Sequence, residues 1–219
     1  MTSRTPTSGR RSATAVALLS AFALLGTACT GGQPLPSAAP SNASTSQSAS
    51  PTPSAPPTPT ATASHKPADA KGRAQNVPVP VLPEAAKAKT KEGLEAFARY
   101  WFGQLNFAYE TGNTSGLSAV TSASCEFCSN ISKALKENYQ GDRWLAGGRI
   151  KAPSISTDFK AGADGNYQVV VQVQQSKISY FKAGGAQFRT PTPPSDTGNL
   201  MLTAFQHGAW RVAGLHPIR

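Results

Sequence analysis

Between Thr90 and Thr111 the apolar residues recur at helical spacing. At 100° per residue, Leu94, Phe97, Ala98, Trp101, Phe102, Leu105, Ala108 and Tyr109 share one broad face. Glu92, Glu95, Arg99, Asn106 and Glu110 fall on a narrow polar strip, and Ala96, Tyr100 and Phe107 widen the apolar side. So narrow a strip predicts a helix covered on more than one side, stopped by Gly112. Asn113 and Thr114 offer caps for a short second helix through Val120. A third is predicted from about Ser124 to Tyr139, ended by Gly141-Asp142.

After that the period changes to two. Tyr167, Val169, Val171 and Val173 alternate with Gln168, Gln172 and Gln174, leaving Val170 as the exception. This is a strand with one buried face. Asp164-Gly165 is a hairpin signal that pairs it with Ile150–Phe159. Lys177–Phe181, Asn199–Phe205 and Trp210–Ala213 complete the strands, with His207-Gly208 as a second hairpin turn. Pro191–Pro194 with Ser195-Asp196 reads as an exposed loop of about ten residues. Helices followed by four to six antiparallel strands define an α+β domain, its N-terminal helices packed on a curved antiparallel sheet.

Composition shortens the chain that can fold. Of 219 residues, every Trp and Tyr, and every Phe except Phe22, lies between Phe97 and Trp210. Residues 29–82 hold no aromatic and are rich in Pro, Ser, Thr and Ala, as in Pro56-Pro57-Thr58-Pro59 and Pro78-Val79-Pro80. Such a segment buries too little apolar surface to offset its chain entropy, so a disordered tether is expected there. A flexible chain of that length spans ~40 Å on average. Residues 83–219 remain as one globular domain, which excludes a large enzyme with separate cofactor and substrate domains.

Residues 1–28 read as an export signal. Arg4, Arg10 and Arg11 precede the apolar run Ala13–Leu25, which is too short to cross a bilayer as a helix. Leu25-Gly26-Thr27-Ala28-Cys29 resembles the lipobox of bacterial lipoproteins. The resemblance implies that the signal is removed and that Cys29 is acylated, with palmitate-like chains holding the protein on the outer face of the cytoplasmic membrane.

The formal charge of +10 divides unevenly. Three arginines leave with the signal, and residues 83–219 carry 15 Lys or Arg against 10 Asp or Glu. That mild excess, with no basic run interleaved with aromatics, argues against nucleic acid as a partner.

Cys125-Glu126-Phe127-Cys128 is the most specific local feature. At i and i+3 on a helix the Cα atoms are ~5–6 Å apart, within disulfide range, and an exported protein meets an oxidising compartment. A thioredoxin-like motif would need a preceding strand, and zinc would need two more ligands; His207 and His216 are distant in sequence. Disulfide, redox and metal readings fit the motif in that order. No cofactor is indicated.

The order of elements resembles the nuclear transport factor 2-like superfamily, a cone of three helices and a bent sheet. Tyr100-Trp101-Phe102, Tyr109-Glu110-Thr111-Gly112-Asn113, Leu117 with Val120, and Trp210-Arg211-Val212 carry the resemblance. Closer still is the likeness to actinobacterial lipoproteins of unknown function, which share the signal, the stalk and a Cys-x-x-Cys after the second helix. The cone would place Trp101, Leu105, Tyr167, Val169 and Tyr180 along a cavity. Asp158 is the sole carboxylate on an interior-looking strand, with no His beside it. The function expected is a lipid-anchored, extracytoplasmic, non-catalytic binding or interaction domain of the bacterial cell envelope. Its candidate partners are the membrane, through Cys29, and a cell-wall polymer or envelope protein. A cone-cavity isomerase or dehydratase and an accessory subunit docking another envelope protein are the alternatives.

Overall fold

The first helix begins where its cap permits. Thr90 has extended backbone, and its Oγ1 accepts from the Gly93 N–H at 3.0 Å. In this computed structural model, which describes residues 63–218, α1 then runs Lys91–Thr111. Gly112 ends it in the left-handed conformation at φ 76°, its N–H donating to the Ala108 carbonyl. The short α2, Ser115–Ala119, and α3, Glu126–Asn138, follow, each within the predicted span. Residues 1–62, and with them the export signal and Cys29, lie outside the described residues.

Seven strands follow: β1 Trp144–Gly147, β2 Ile150–Ser156, β3 Tyr167–Gln175, β4 Ile178–Phe181, β5 Gln187–Thr192, β6 Ser195–Gln206 and β7 Ala209–Ile218. The domain is α+β, but it has two antiparallel sheets rather than the one expected. A four-stranded sheet runs β2-β3-β6-β7, and a three-stranded one β1-β4-β5. Both predicted hairpins form, β2 with β3 and β6 with β7. His207 and Gly208 both take positive φ at the second turn, as a tight hairpin requires.

The expected loop at Pro191–Asp196 is instead the turn between β5 and β6. Pro191 sits in β5, an edge strand, where its missing N–H removes no ladder bond. Ser195 and Asp196 open β6, paired with Gln175 and Gln174 of β3. The Gln172 and Gln174 amides donate to the Asp196 carboxylate at 3.1 and 3.0 Å. Those side chains give a turn-like sequence a place in the ladder.

The core lies between α1, α3 and the buried faces of the strands. Leu94, Phe97, Trp101, Leu117, Val169, Val171, Met201 and Val212 are all essentially inaccessible. Val170, the exception in the β3 alternation, is 48% exposed, as a period of two demands. Gln104, also on α1, is buried too, its amide satisfied by the Tyr100 hydroxyl at 2.8 Å and the Pro80 carbonyl at 3.2 Å.

Residues 63–82, inside the expected tether, make hydrogen bonds among themselves and with the domain. Lys66 and Gln75 form a backbone bridge, and Asp69 turns the chain by accepting the Lys71 and Gly72 N–H groups on its carboxylate. Trp144 Nε1 donates to the Asp69 carbonyl at 2.8 Å, and the Arg73 guanidinium to the Gly141 carbonyl at 2.7 Å. This strap buries little of its own. It is held because the domain supplies aromatic and carbonyl partners from residues 139–144. Limited proteolysis checks this: Lys71 and Arg73 should resist trypsin until the domain unfolds. Rapid cleavage there in native protein would show that the strap is not docked.

Candidate functional site

The five residues expected along a cavity are found in packing. Trp101, Leu105, Val169 and Tyr180 are at most 5% exposed. The Trp101 indole meets Phe102 edge-on at 5.1 Å and donates from Nε1 to Thr121 Oγ1 at 2.9 Å. The Tyr180 hydroxyl pairs with Thr192 Oγ1 at 2.7 Å. Tyr167 is half-buried in an aromatic cluster with Phe159 and Trp210, at 5.0 and 5.2 Å. None of the pockets described below is lined by any of the five. Asp158, His207 and His216 are exposed and separate.

Cys125 and Cys128 are disulfide-bonded, with Cα atoms 5.3 Å apart. Cys125 is the cap of α3, and its Sγ accepts the Cys128 N–H. Both cysteines are 2% exposed and line the wall of a groove. The bond staples the first turn of α3. The adjacent groove of about 680 Å³ is lined by Ser118, Ser122, Ser129, Ser132, Lys133 and Glu137.

Two arrangements come from residues that are far apart in sequence. The first joins the strap to the end of α1: His65 Nε2 meets Glu110 Oε1 at 2.9 Å over a pocket of about 220 Å³ with Asn106, Tyr109, Gly147 and Arg149. Asn106 is already committed there, accepting the Ile150 N–H and donating to the Ile150 carbonyl. Burial raises the Tyr109 pKa above its ordinary value.

The second is a basic–aromatic face on the small sheet. The Arg143 guanidinium lies 4.7 Å from the Phe188 ring centre, Arg189 4.8 Å from Tyr180, and Arg73 5.7 Å from Tyr139. Lys71 and Lys182 are exposed on the same segments. Burial pushes the Tyr139 hydroxyl up to about 12, so it stays protonated and donates to the Tyr109 carbonyl at 2.7 Å. Neither arrangement is a run or motif. The only sequence signal was a basic excess in residues 66–73, which the tether reading set aside.

Curated proteins give no match. Among solved structures, the intermembrane space region of the chloroplast protein ARC6 is similar at a TM-score of 0.43 and 11% identity, over 59% of this chain and 96% of that one. A family of unknown function, DUF6318, matches residues 63–216, starting at the strap rather than at residue 83. That span is most of the chain and all of its described fold but the last two residues, and the protein belongs to this family.

Proposed function

We propose that the protein is a lipid-anchored, extracytoplasmic interaction domain of the cell envelope that works through its outer surface. The observation that carries this is the packing of Trp101, Leu105, Val169 and Tyr180, the residues a cone-cavity enzyme would need around its substrate. The helices-then-strands order supports a nuclear transport factor 2-like arrangement. The lipobox-like run before Cys29 supports the anchor, and the likeness to actinobacterial lipoproteins supports the envelope. An accessory role fits best, since the outer face of the large sheet carries Val170 and Ile218 at 48% and 50% exposure beside Leu200 and Leu202.

Anchor and location are tested together. Cys29→Ala should move the chain from the membrane to the soluble fraction, and protease added to intact wall-stripped cells should destroy the wild-type chain. A variant that stays with membranes after a high-salt wash overturns the anchor. A protected chain in intact cells overturns the location.

A further inference from the structure

We propose that the basic–aromatic face formed by Lys71, Arg73, Arg143, Lys182 and Arg189 is a docking surface for the anionic phosphate head groups of the membrane that carries the anchor. The proposal rests on the anchored reading above and adds a second surface, separate from the outer face of the large sheet.

The face is cationic without internal compensation. Among the described residues the ion pairs are His65–Glu110 and Lys87–Glu84, so none of these five cations is paired with a carboxylate. The two acids nearby are turned to backbone. Asp69 accepts the Lys71 and Gly72 N–H groups at 2.7 and 3.1 Å, and Asp142 accepts the Ala183 N–H at 3.3 Å. The Arg143, Arg189 and Arg73 guanidinium carbons lie within cation–π range of the Phe188, Tyr180 and Tyr139 rings, and Arg73 also donates to the Gly141 carbonyl. A guanidinium's planar fork of N–H donors matches a phosphate's two oxygens.

The four segments are locked into one face. Trp144 next to Arg143 donates to Asp69 of the strap. Gly185 is so close to the Ala70 carbonyl that a Cβ would meet the oxygen at 2.6 Å. Tyr180 and Arg189 are register partners of β4 and β5.

Two observations favour a membrane over a polymer strand. The face is open: all five cations are exposed, whereas a single polyanionic chain is held in a groove. The strap itself contributes Lys71 and Arg73, eight and ten residues from the first described residue, Ala63. Residues 30–62 span at most ~115 Å, so an acylated Cys29 would confine the face to within that distance of the head groups. Proximity of that kind lets a weak surface affinity be occupied.

The test uses the full chain carrying Cys29→Ser, so that no acyl chain contributes, with vesicles of phosphatidylcholine alone or mixed equally with phosphatidylglycerol. The chain should co-sediment with the mixed vesicles, and that binding should fall steeply with salt. The triple variant R143Q/K182Q/R189Q on the same background should bind on the order of a hundredfold more weakly, the usual worth of three cations at an anionic surface. Lysine at 143 and 189 keeps the charge but loses the fork, so it should bind more weakly than the parent and more tightly than the triple variant, and all variants should share the parent's melting curve. Equal binding to both vesicle types, or an unchanged triple variant, overturns the proposal. So does tighter binding to a soluble poly(glycerol phosphate), which would assign the face to a wall-type polymer. A chain released by Cys29→Ala in cells that still binds anionic vesicles keeps this face and leaves the anchor to its own experiment.

Discussion

Trp101→Ala is expected to remove about 3–5 kcal/mol of stability, a large share of what a domain of this size possesses. The indole is fully buried in the middle of α1, edge-on to Phe102, and its N–H is satisfied by Thr121. Alanine deletes the largest inaccessible side chain of the domain. The backbone of α1 cannot collapse into the void, because Leu94, Phe97 and Leu105 hold the helix on either side. Thr121 Oγ1 keeps one partner, donating to the Leu117 carbonyl at 2.7 Å, so the loss is mainly cavity and contact rather than an orphaned hydroxyl. Trp101→Phe should restore most of the packing without the N–H. Denaturant unfolding should show a lower midpoint at unchanged slope for both variants. A loss under about 1 kcal/mol for the alanine variant would mean that the site tolerates a void. The filled-core reading would then fail, and a cavity-based function would return.

The elements legible in the sequence are those whose signal is local. Thr90 to Gly112 carries its cap, its apolar face and its stop within one window, and the structure places α1 there. Asp164-Gly165 and His207-Gly208 specify hairpins from their own backbone preferences. The division into two sheets was not legible. It depends on β1, four residues long, pairing with β4 in the register Trp144 to Phe181, and no local pattern encodes a contact that distant. The strap failed for a related reason. Lys66–Gln75 has no apolar periodicity and reads as tether; its order comes from Trp144, Tyr139 and Gly141, about seventy residues away. The basic–aromatic face inherits that opacity. Its arginines lie at 73, 143 and 189, and only the folded chain sets each against a ring. The disulfide, by contrast, was legible from a spacing of three at a helix start.

Gly112→Ala tests how α1, α3 and the strap meet at one seam. At φ 76° any L-residue at this position costs about 1–2 kcal/mol in backbone strain. A Cβ there would also overlap the Tyr139 ring, approaching Cδ1 to 2.7 Å and Cβ to 2.8 Å. The ring has little freedom to yield. Its hydroxyl is bonded to the Tyr109 carbonyl at the end of α1, and Arg73 of the strap lies over its face. Overpacking of this kind adds about 1–3 kcal/mol, giving an expected loss of about 2–5 kcal/mol. Gly165 separates the two contributions. It has the same φ of 77° with nothing within 4 Å of a built Cβ, so Gly165→Ala should show the backbone cost alone. Asparagine at 112 tolerates the left-handed backbone but not the crowding, and should be nearly as destabilising as alanine. In a double-mutant cycle, Tyr139→Ala should recover most of the steric part, a coupling of more than about 1 kcal/mol. Calorimetric or denaturant unfolding of the four proteins decides it. Additive effects would show that the ring moves aside freely and that Tyr139 does not brace the strap.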